Sequence, residues 1–537
     1  MGGNTMSEPA KKQTFLHGAA LLALATAIVK VIGALYKIPL KMIIGDVGYG
    51  YFTTAYDIYS VLLLISTAGL PVAVSRMVSH TSSLGAYNQT RKVYRTSEII
   101  FILLGAVSSF LMMAFGRQLA AFQHQPDAYY SIVALGPCAF LMCLMSAYRG
   151  FSQGLGDMTP TSVSQVLEAV IKLVVGLAVA LVLLRTTNSI PLAAGGAILG
   201  VTVSCVVSTF YLARCFGKSY RSLPAGEDTP ESFAATTKQL MAIAIPITIG
   251  SAGLQILTVL ETNLFMGQLL ATGNTQARVD EMKGIYNMTQ TIFNMPCSFI
   301  VPITVSIIPA VTSALTVGNH PAVKETEESA CRVTGLISLP CAVGLAVLAR
   351  PIMALLGAYE GAALDFATPL MTTLGLTVFL YATVQLTNSL MQAHGYAHIP
   401  VINMLLCGVM KLAIVYILVG NPNIGLLGAP IGAVIGYFAI CALNLLAMRK
   451  CVPQRPAAVK NLLRSLLPSA VMGAAAFGAY YLLETLCGIS SRVILCGLPI
   501  CVGVAVYAVC ILVFKPITRE DCLLLPKGEK IAKLLRL

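Results

Sequence analysis

Fourteen apolar runs, each near the roughly 20 residues that a helix needs to cross a bilayer, follow one another along this chain with only short polar segments between them. They fall at about 15–37, 51–75, 92–114, 128–151, 160–183, 192–214, 238–268, 284–310, 331–349, 364–391, 399–419, 426–448, 462–484 and 491–514. In lipid the backbone polar groups of such a run must be satisfied within the run itself, so each is read as a helix. Composition points the same way. Charged residues make up 11% of the 537 and apolar residues 57%, with a mean hydropathy of +0.80, against about 25% charged in a soluble domain. The expected fold class is an all-α integral membrane protein of about 14 transmembrane helices. Runs seven and eight are too long for one straight span, and Pro246, Pro296 and Pro302 are expected to bend them or end them early. The polar segment from Met1 to Lys12 leads into the first run without an Ala-x-Ala cleavage site, so that helix is expected to be retained.

The net charge of +13 sets topology; it does not signal a nucleic-acid partner, for no aromatic–basic interleaving or nucleic-acid motif accompanies it. With the N-terminus inside, 24 of the 35 Lys and Arg fall in inner segments, 8 in outer segments and 3 within spans. The positive-inside rule then places both termini in the cytoplasm of a multi-pass cell-membrane protein. The 15 Cys include Cys138, Cys143, Cys205, Cys407, Cys441 and Cys510 inside apolar runs, where they read as small apolar residues. No Cys/His spacing suggests a metal site. No GxxxxGK[ST], GxSxG or HExxH occurs, so neither an enzyme nor an ATP-driven pump is expected, and no cofactor.

The chain repeats itself weakly. Pro71, Val74, Ser75, Thr81 and Ser82 match Pro302, Val305, Ser306, Thr312 and Ser313, all at one constant offset. Gln153, Gly156, Val170, Lys172 and Leu173 match Gln392, Gly395, Val409, Lys411 and Leu412, again at one constant and slightly longer offset. Both matches shift by six helices. Six is even, so the halves are expected to be parallel six-helix lobes. The expected organisation is an N-terminal lobe at 1–215, a polar cytoplasmic linker at 216–237, a second lobe at 238–450, and helices thirteen and fourteen with a cytoplasmic tail at 451–537.

Ionisable residues in spans are costly, roughly 2.5–3.5 kcal/mol each on insertion scales, and so mark partners or wet cavities. Lys30, Lys172 and Lys411 lie mid-span. Together they suggest a cationic cavity for an anionic substrate, with Asp57 and Glu261 as coupling or charge-balancing carboxylates. Snorkelling or structural ion pairing is the alternative. Glu168 precedes Lys172 by four residues, the favoured order for an in-helix pair, while the equivalent place before Lys411 holds Cys407. Lys37 and Lys41, near a helix end, are expected to snorkel outward. Arg149 is expected at the cytoplasmic end of helix four as an interfacial anchor or a headgroup contact. The repeat-matched Ser75 and Ser306 are further gate candidates.

The segment TAIVKVIGALYKIPLKMIIGDVGYGYFTTAYDIYS, then TAGLPVAVSRMVSH, SAYRGFSQGLGDMTPTSVSQVLE and TNSLMQAHGYAHIP, resembles the stage V sporulation protein B and polysaccharide biosynthesis group of the multidrug/oligosaccharidyl-lipid/polysaccharide exporter superfamily. That group is similar to MurJ-type lipid II flippases. The resemblance implies two six-helix lobes around a central cavity that opens alternately to either side. It also implies a flippase for undecaprenyl-pyrophosphate-linked sugars, and two extra C-terminal helices that often form a lipid-binding groove. Lys30 occupies the place of the family's first cavity arginine, and the next basic position falls near Tyr36 and Lys37.

The function expected is flipping of lipid II for peptidoglycan synthesis. The alternatives are another polyprenyl-linked glycan (capsule, teichoic or spore-cortex), a cation-coupled drug exporter of the same superfamily, or a non-transporting scaffold. The expected partners are a lipid-linked oligosaccharide, membrane lipids and cell-wall synthesis proteins, with the chain a monomer. Membrane potential, H+ or Na+ would supply the coupling.

Overall fold

The computed structural model describes residues 8–516 and 518, without 317, 455 and 490. The expected cytoplasmic tail from 519 onward lies outside the described residues. So does the Ser306 side chain. All regular structure among the described residues is helical: α1 (Glu8–Thr67), α2 (Leu70–Ser83), α3 (Tyr87–Ala114), α4 (Gly116–Phe122), α5 (Tyr129–Gly154), α6 (Thr159–Thr187), α7 (Ile190–Arg221), α8 (Phe233–Ala271), α9 (Gln276–Thr316), α10 (His320–Val347), α11 (Ala349–Leu356), α12 (Gly361–Ala393), α13 (His398–Val419), α14 (Gly428–Cys451), α15 (Ala458–Leu462), α16 (Leu466–Tyr481) and α17 (Arg492–Phe514). Ten helical segments among these residues are long and apolar enough to cross a membrane. The protein has an all-α membrane fold.

Every expected run falls within helix, but three boundaries differ. Runs one and two are joined in α1, where Gly45 (φ 70°, ψ −177°) breaks the helical path in a conformation that is essentially glycine's alone. The end of run two becomes α2, which starts at the Gly69–Leu70–Pro71 junction with proline in its first turn. Of the two outcomes expected at these prolines, bending or early termination, termination does not occur in α8 and α9. They run 39 and 41 residues, through Pro246, Pro296 and Pro302. A proline removes one backbone donor, and neighbouring helices make that tolerable in a membrane span.

The chain divides into two compact units, Met1–Met266 and Gly267–Leu537, so the division falls inside α8 and not in the polar loop after α7. In the first unit that loop is docked. The Asp228 carboxylate accepts from the backbone N–H groups of Asn88 (2.9 Å) and Gln89 (2.7 Å). Asn88 Nδ2 donates to the Gly226 and Asp228 carbonyls, and Arg91 Nη2 donates to those of Leu223 and Pro224. Asp228 thus caps α3, whose own N-cap residue, Ala86, offers no side-chain acceptor. Desolvation raises the Asp228 carboxyl, but the backbone donors and nearby Arg91 outweigh it and hold the group below the usual aspartate range. Beneath the strap, Tyr94, Phe151, Phe216 and Tyr220 pack ring against ring, with Tyr94 and Phe216 centroids 4.2 Å apart.

The second unit repeats local details of the first. α5 and α12 end alike. Gly156 (φ 84°) and Gly395 (φ 85°) occupy the left-handed position, and their N–H groups donate to Gln153 and Gln392 carbonyls at 3.0 Å. These residues belong to the second of the two sequence matches. α10, the counterpart of α3, is capped by its own Asn319, which accepts from the Ala322 N–H at 3.2 Å. The extra helices pack onto α10: Tyr507 donates to the Leu336 carbonyl at 2.6 Å, and Gly473 faces Val343.

Candidate functional site

The residues singled out from sequence separate into one cluster and several positions outside it. The cluster is inside the first unit, on the stretches of α1 either side of its break and on α6. Apolar positions at every third or fourth residue bury one face of α1, and Tyr49, Phe52, Tyr56 and Tyr59 share that spacing. Their rings form a ladder with centroid separations of 6.1, 4.9 and 6.0 Å. Tyr36 joins it from before the break. Its ring is 5.8 Å from that of Phe52, and its hydroxyl donates to the Ala197 carbonyl of α7 at 3.2 Å.

Lys172 of α6 sits over this ladder, with Nζ 5.7 Å from the Tyr36 ring centroid, within cation–π range. Lys37 is half-buried and lies within electrostatic reach of both Lys172 and Asp57. Two lysines and one carboxylate therefore share a mostly apolar interior with aromatic walls. Like charges in a medium of low permittivity repel strongly, and Asp57 is the carboxylate within reach to offset them.

Four expectations are corrected here. Lys37 does not snorkel outward but faces the cluster. Lys41 is only 6% exposed and pairs with Asp46 at 3.5 Å across the Gly45 break, because the break turns the two side chains toward each other. Glu168 pairs with Arg149 of α5 at 3.3 Å, where an in-helix pair with Lys172 was expected. Arg149 Nε also donates to Ser164 Oγ at 3.1 Å. With side chains only 12% and 22% exposed, Arg149 and Glu168 make an internal ion pair, so Arg149 is not an interfacial anchor.

The remaining positions stand apart. Lys30 is exposed on α1. Ser75, half-buried on α2, abuts α5, its carbonyl lying 2.9 Å from where a Cβ on Gly154 would stand. Glu261 is buried in α8. Lys411 is in the second unit, its aliphatic stem laid against Gly436 of α14. Two turns along the same helix pair, Asn403 donates to Asn444 at 2.9 Å, and Asn444 donates to Thr387 (3.0 Å) and Asn388 (2.9 Å). Sequence reading missed this amide network, because Asn in an apolar run carries no charge to draw notice. It also missed Tyr56, whose buried hydroxyl makes no hydrogen bond among the described residues and lies in electrostatic reach of Glu168. The Phe52–Tyr56–Tyr59 spacing was the available signal. No group of three or more His, Cys, Asp or Glu among the described residues is placed to hold a metal.

Comparison with known proteins fits this architecture. The chain is 25% identical over 452 residues to Stage V sporulation protein B of Bacillus subtilis (strain 168), covering 82% of this chain and 85% of that protein. It is 23% identical over 479 residues to Lipid II flippase MurJ of the same organism, covering 86% and 87%. A solved structure of Lipid II flippase MurJ in an inward closed conformation superposes with a TM-score of 0.67 at 14% identity, covering 92% of this chain and 98% of that one, which shows a shared fold. The family model described as "Polysaccharide biosynthesis protein" matches residues 15–315, more than half of the chain, and the protein belongs to that family.

Proposed function

We propose that this protein is a flippase for an undecaprenyl-pyrophosphate-linked sugar, lipid II first among them, carried from the cytoplasmic to the outer leaflet by alternating access. The observation that carries the reading is the Lys37–Lys172 pair beside Tyr36 inside an apolar unit. Two cations so placed repel each other, and a pyrophosphate between them relieves that repulsion and adds charge-assisted hydrogen bonds. Lysine suits this role as a point charge that leaves the anion free to depart. Asp57 offsets part of the charge in the empty state, and Lys30, more exposed on the same helix, meets the headgroup first. The polyprenyl tail stays in lipid. A relative named as a lipid II flippase supports the substrate class. Two spans in α1 and one each in α8 and α9 complete fourteen, with both termini cytoplasmic. An inside-negative potential favours outward movement of an anionic headgroup by about 2.3 kcal/mol per charge per 100 mV, so transport needs no ATP.

The test is lipid II translocation in proteoliposomes. Lys30→Ala and the double variant Lys37→Gln/Lys172→Gln are each expected to lower the rate at least tenfold, about 1.4 kcal/mol of lost stabilisation. Wild-type rates in the double variant sink the site. Wild-type protein that moves a different polyprenyl-linked glycan but not lipid II keeps the site and changes the substrate.

A further inference from the structure

A cavity of about 640 Å³ opens where α14 ends and α15 begins, far along the chain from the Lys37–Lys172 cluster and wholly within the second unit. Arg449 and Lys450 enter it from the last turn of α14, and Lys460 enters from α15. Leu445, Met448 and Val459 supply apolar wall. None of the three cations forms an ion pair among the described residues. Glu328 Oε1 of α10 accepts from the Ala457 N–H at 3.2 Å and so holds the segment before α15 in place. Cations in the last turn of a helix complement its carbonyl end, which accounts for Arg449 and Lys450. Lys460 stands in the last turn of the five-residue α15, but that does not account for its facing the same space as the α14 cations from a different helix, nor for the apolar wall beside the charges. The size matches small-ligand sites, which run about 300–1,000 Å³. The end of α14 closes a 24-residue apolar helix, so the cavity lies at the level where lipid headgroups meet water, on the face to which the positive-inside rule assigns most of the chain's Lys and Arg.

We infer that this cavity binds a phosphate-bearing anion, the headgroup of an anionic phospholipid, with the phosphate held by Arg449, Lys450 and Lys460 and the start of an acyl chain against Leu445, Met448 and Val459. Basic pockets at the cytoplasmic ends of membrane helices bind such headgroups. The inference does not rest on the flippase reading, since none of these residues belongs to the proposed transport site.

The experiment is native mass spectrometry of the full chain, purified with phosphatidylglycerol and phosphatidylcholine in equal amounts. Wild-type protein is expected to retain phosphatidylglycerol selectively. The variant Arg449→Gln/Lys450→Gln/Lys460→Gln is expected to lose it by roughly a hundredfold, about fivefold per cation at the membrane surface. Arg214→Gln/Lys218→Gln/Arg221→Gln removes the same charge from the end of α7 and is expected to retain it. Lys460→Gln alone, at an exposed site, is expected to weaken retention and Lys460→Arg to restore it, which guards against misfolding of the triple variant. A titration with inorganic phosphate separates the sources. Competition at millimolar phosphate shows that the phosphate group alone is read, and resistance shows that the lipid is required. Equal retention by the triple variant and the wild type, or equal retention of phosphatidylcholine, overturns the inference.

Discussion

α6 and α7 cross at Gly176 and Gly200, and that crossing makes a sharp prediction. A Cβ added at Gly200 would stand 3.0 Å from the Val175 carbonyl carbon and closer still to the Gly176 backbone nitrogen and Cα. Carbon atoms in good contact sit about 3.5–4.0 Å apart. The obstacles are backbone atoms, so no side chain can rotate out of the way and the helices must separate. Gly200→Ala is therefore placed at the upper part of the over-packing range, about 3 kcal/mol destabilising, even though Ala gains close to 1 kcal/mol over Gly in helix propensity. Gly217, on the same helix, has nothing within 4 Å of its Cβ position. Gly217→Ala has only the propensity gain and is expected to stabilise by about 0.5 kcal/mol, the low end of the range because the site is near a helix end. The assay is reversible unfolding in mixed micelles with both variants under one condition. Gly176→Ala adds a link to the site, because its methyl would meet the Tyr36 hydroxyl at 2.9 Å and is expected to disturb the Lys172 seat as well as stability. Equal and small effects of Gly200→Ala and Gly217→Ala refute the reasoning, since sequence propensity treats the two glycines alike and only the crossing separates them.

Two further outcomes follow from the polar contacts. Arg149→Met leaves the largely buried Glu168 carboxylate without its α5 cation and is expected to cost about 3 kcal/mol, the scale for breaking a buried pair. Glu168→Gln should cost less, and the double variant less than the sum, with a coupling of at least about 1 kcal/mol in an unfolding cycle; additive effects would show that the pair is not an energetic unit. The Asp228 strap should be pH-dependent. Its carboxyl is held below the ordinary aspartate value in the docked state, so docking is favoured above about pH 3.9 and is lost as pH falls through the lower, docked value. Exchange of the Asn88 and Gln89 amide hydrogens, corrected for intrinsic rates, should be slow at pH 6 and quicken as acid protonates the carboxyl, and should be fast throughout in Asp228→Ala. Slow exchange in that variant at pH 6 would mean that the strap does not depend on the cap.

The helices were legible because lipid leaves the backbone no alternative to internal pairing, and an apolar run long enough to cross the bilayer states that constraint plainly. The break in α1 was not legible. One glycine among many apolar residues carries no mark until its φ is known, and Gly45 decides that Lys41 pairs with Asp46 instead of reaching outward. Charge partners were legible only within a helix. Glu168 and Lys172 satisfy the four-residue rule, yet the stronger competitor, Arg149, comes from a helix that sequence spacing cannot rank. The loop after α7 reads as a linker because it is polar, and nothing in its sequence marks it as docked. Its Asp228 supplies the acceptor that Ala86 lacks at the start of α3, a match visible only when the two segments are seen together.

The repeat sets that match in context. Gly156 and Gly395 end their helices with the same turn. Gly432 of α14 faces Val415 of α13 as Gly200 of α7 faces Gly176 of α6, and Val415 stands to Gly176 at the same offset as Lys411 to Lys172. Backbone geometry has thus been held in common while side chains have diverged. α10 keeps a self-cap at Asn319, and α3 borrows one from Asp228. The first unit gathers Lys37, Lys172 and Asp57 around aromatic rings, and the second sets Asn388, Asn403 and Asn444 two turns from Lys411. Charge costs far more than an amide to bury, so a symmetric scaffold that concentrates paired charges in one half has a reason to do so there. In the first half the reason we propose is an anionic ligand. In the second, neutral hydrogen bonds suffice to hold α12, α13 and α14 together, and Asn444→Leu should therefore loosen those helices while leaving the Lys37–Lys172 site intact.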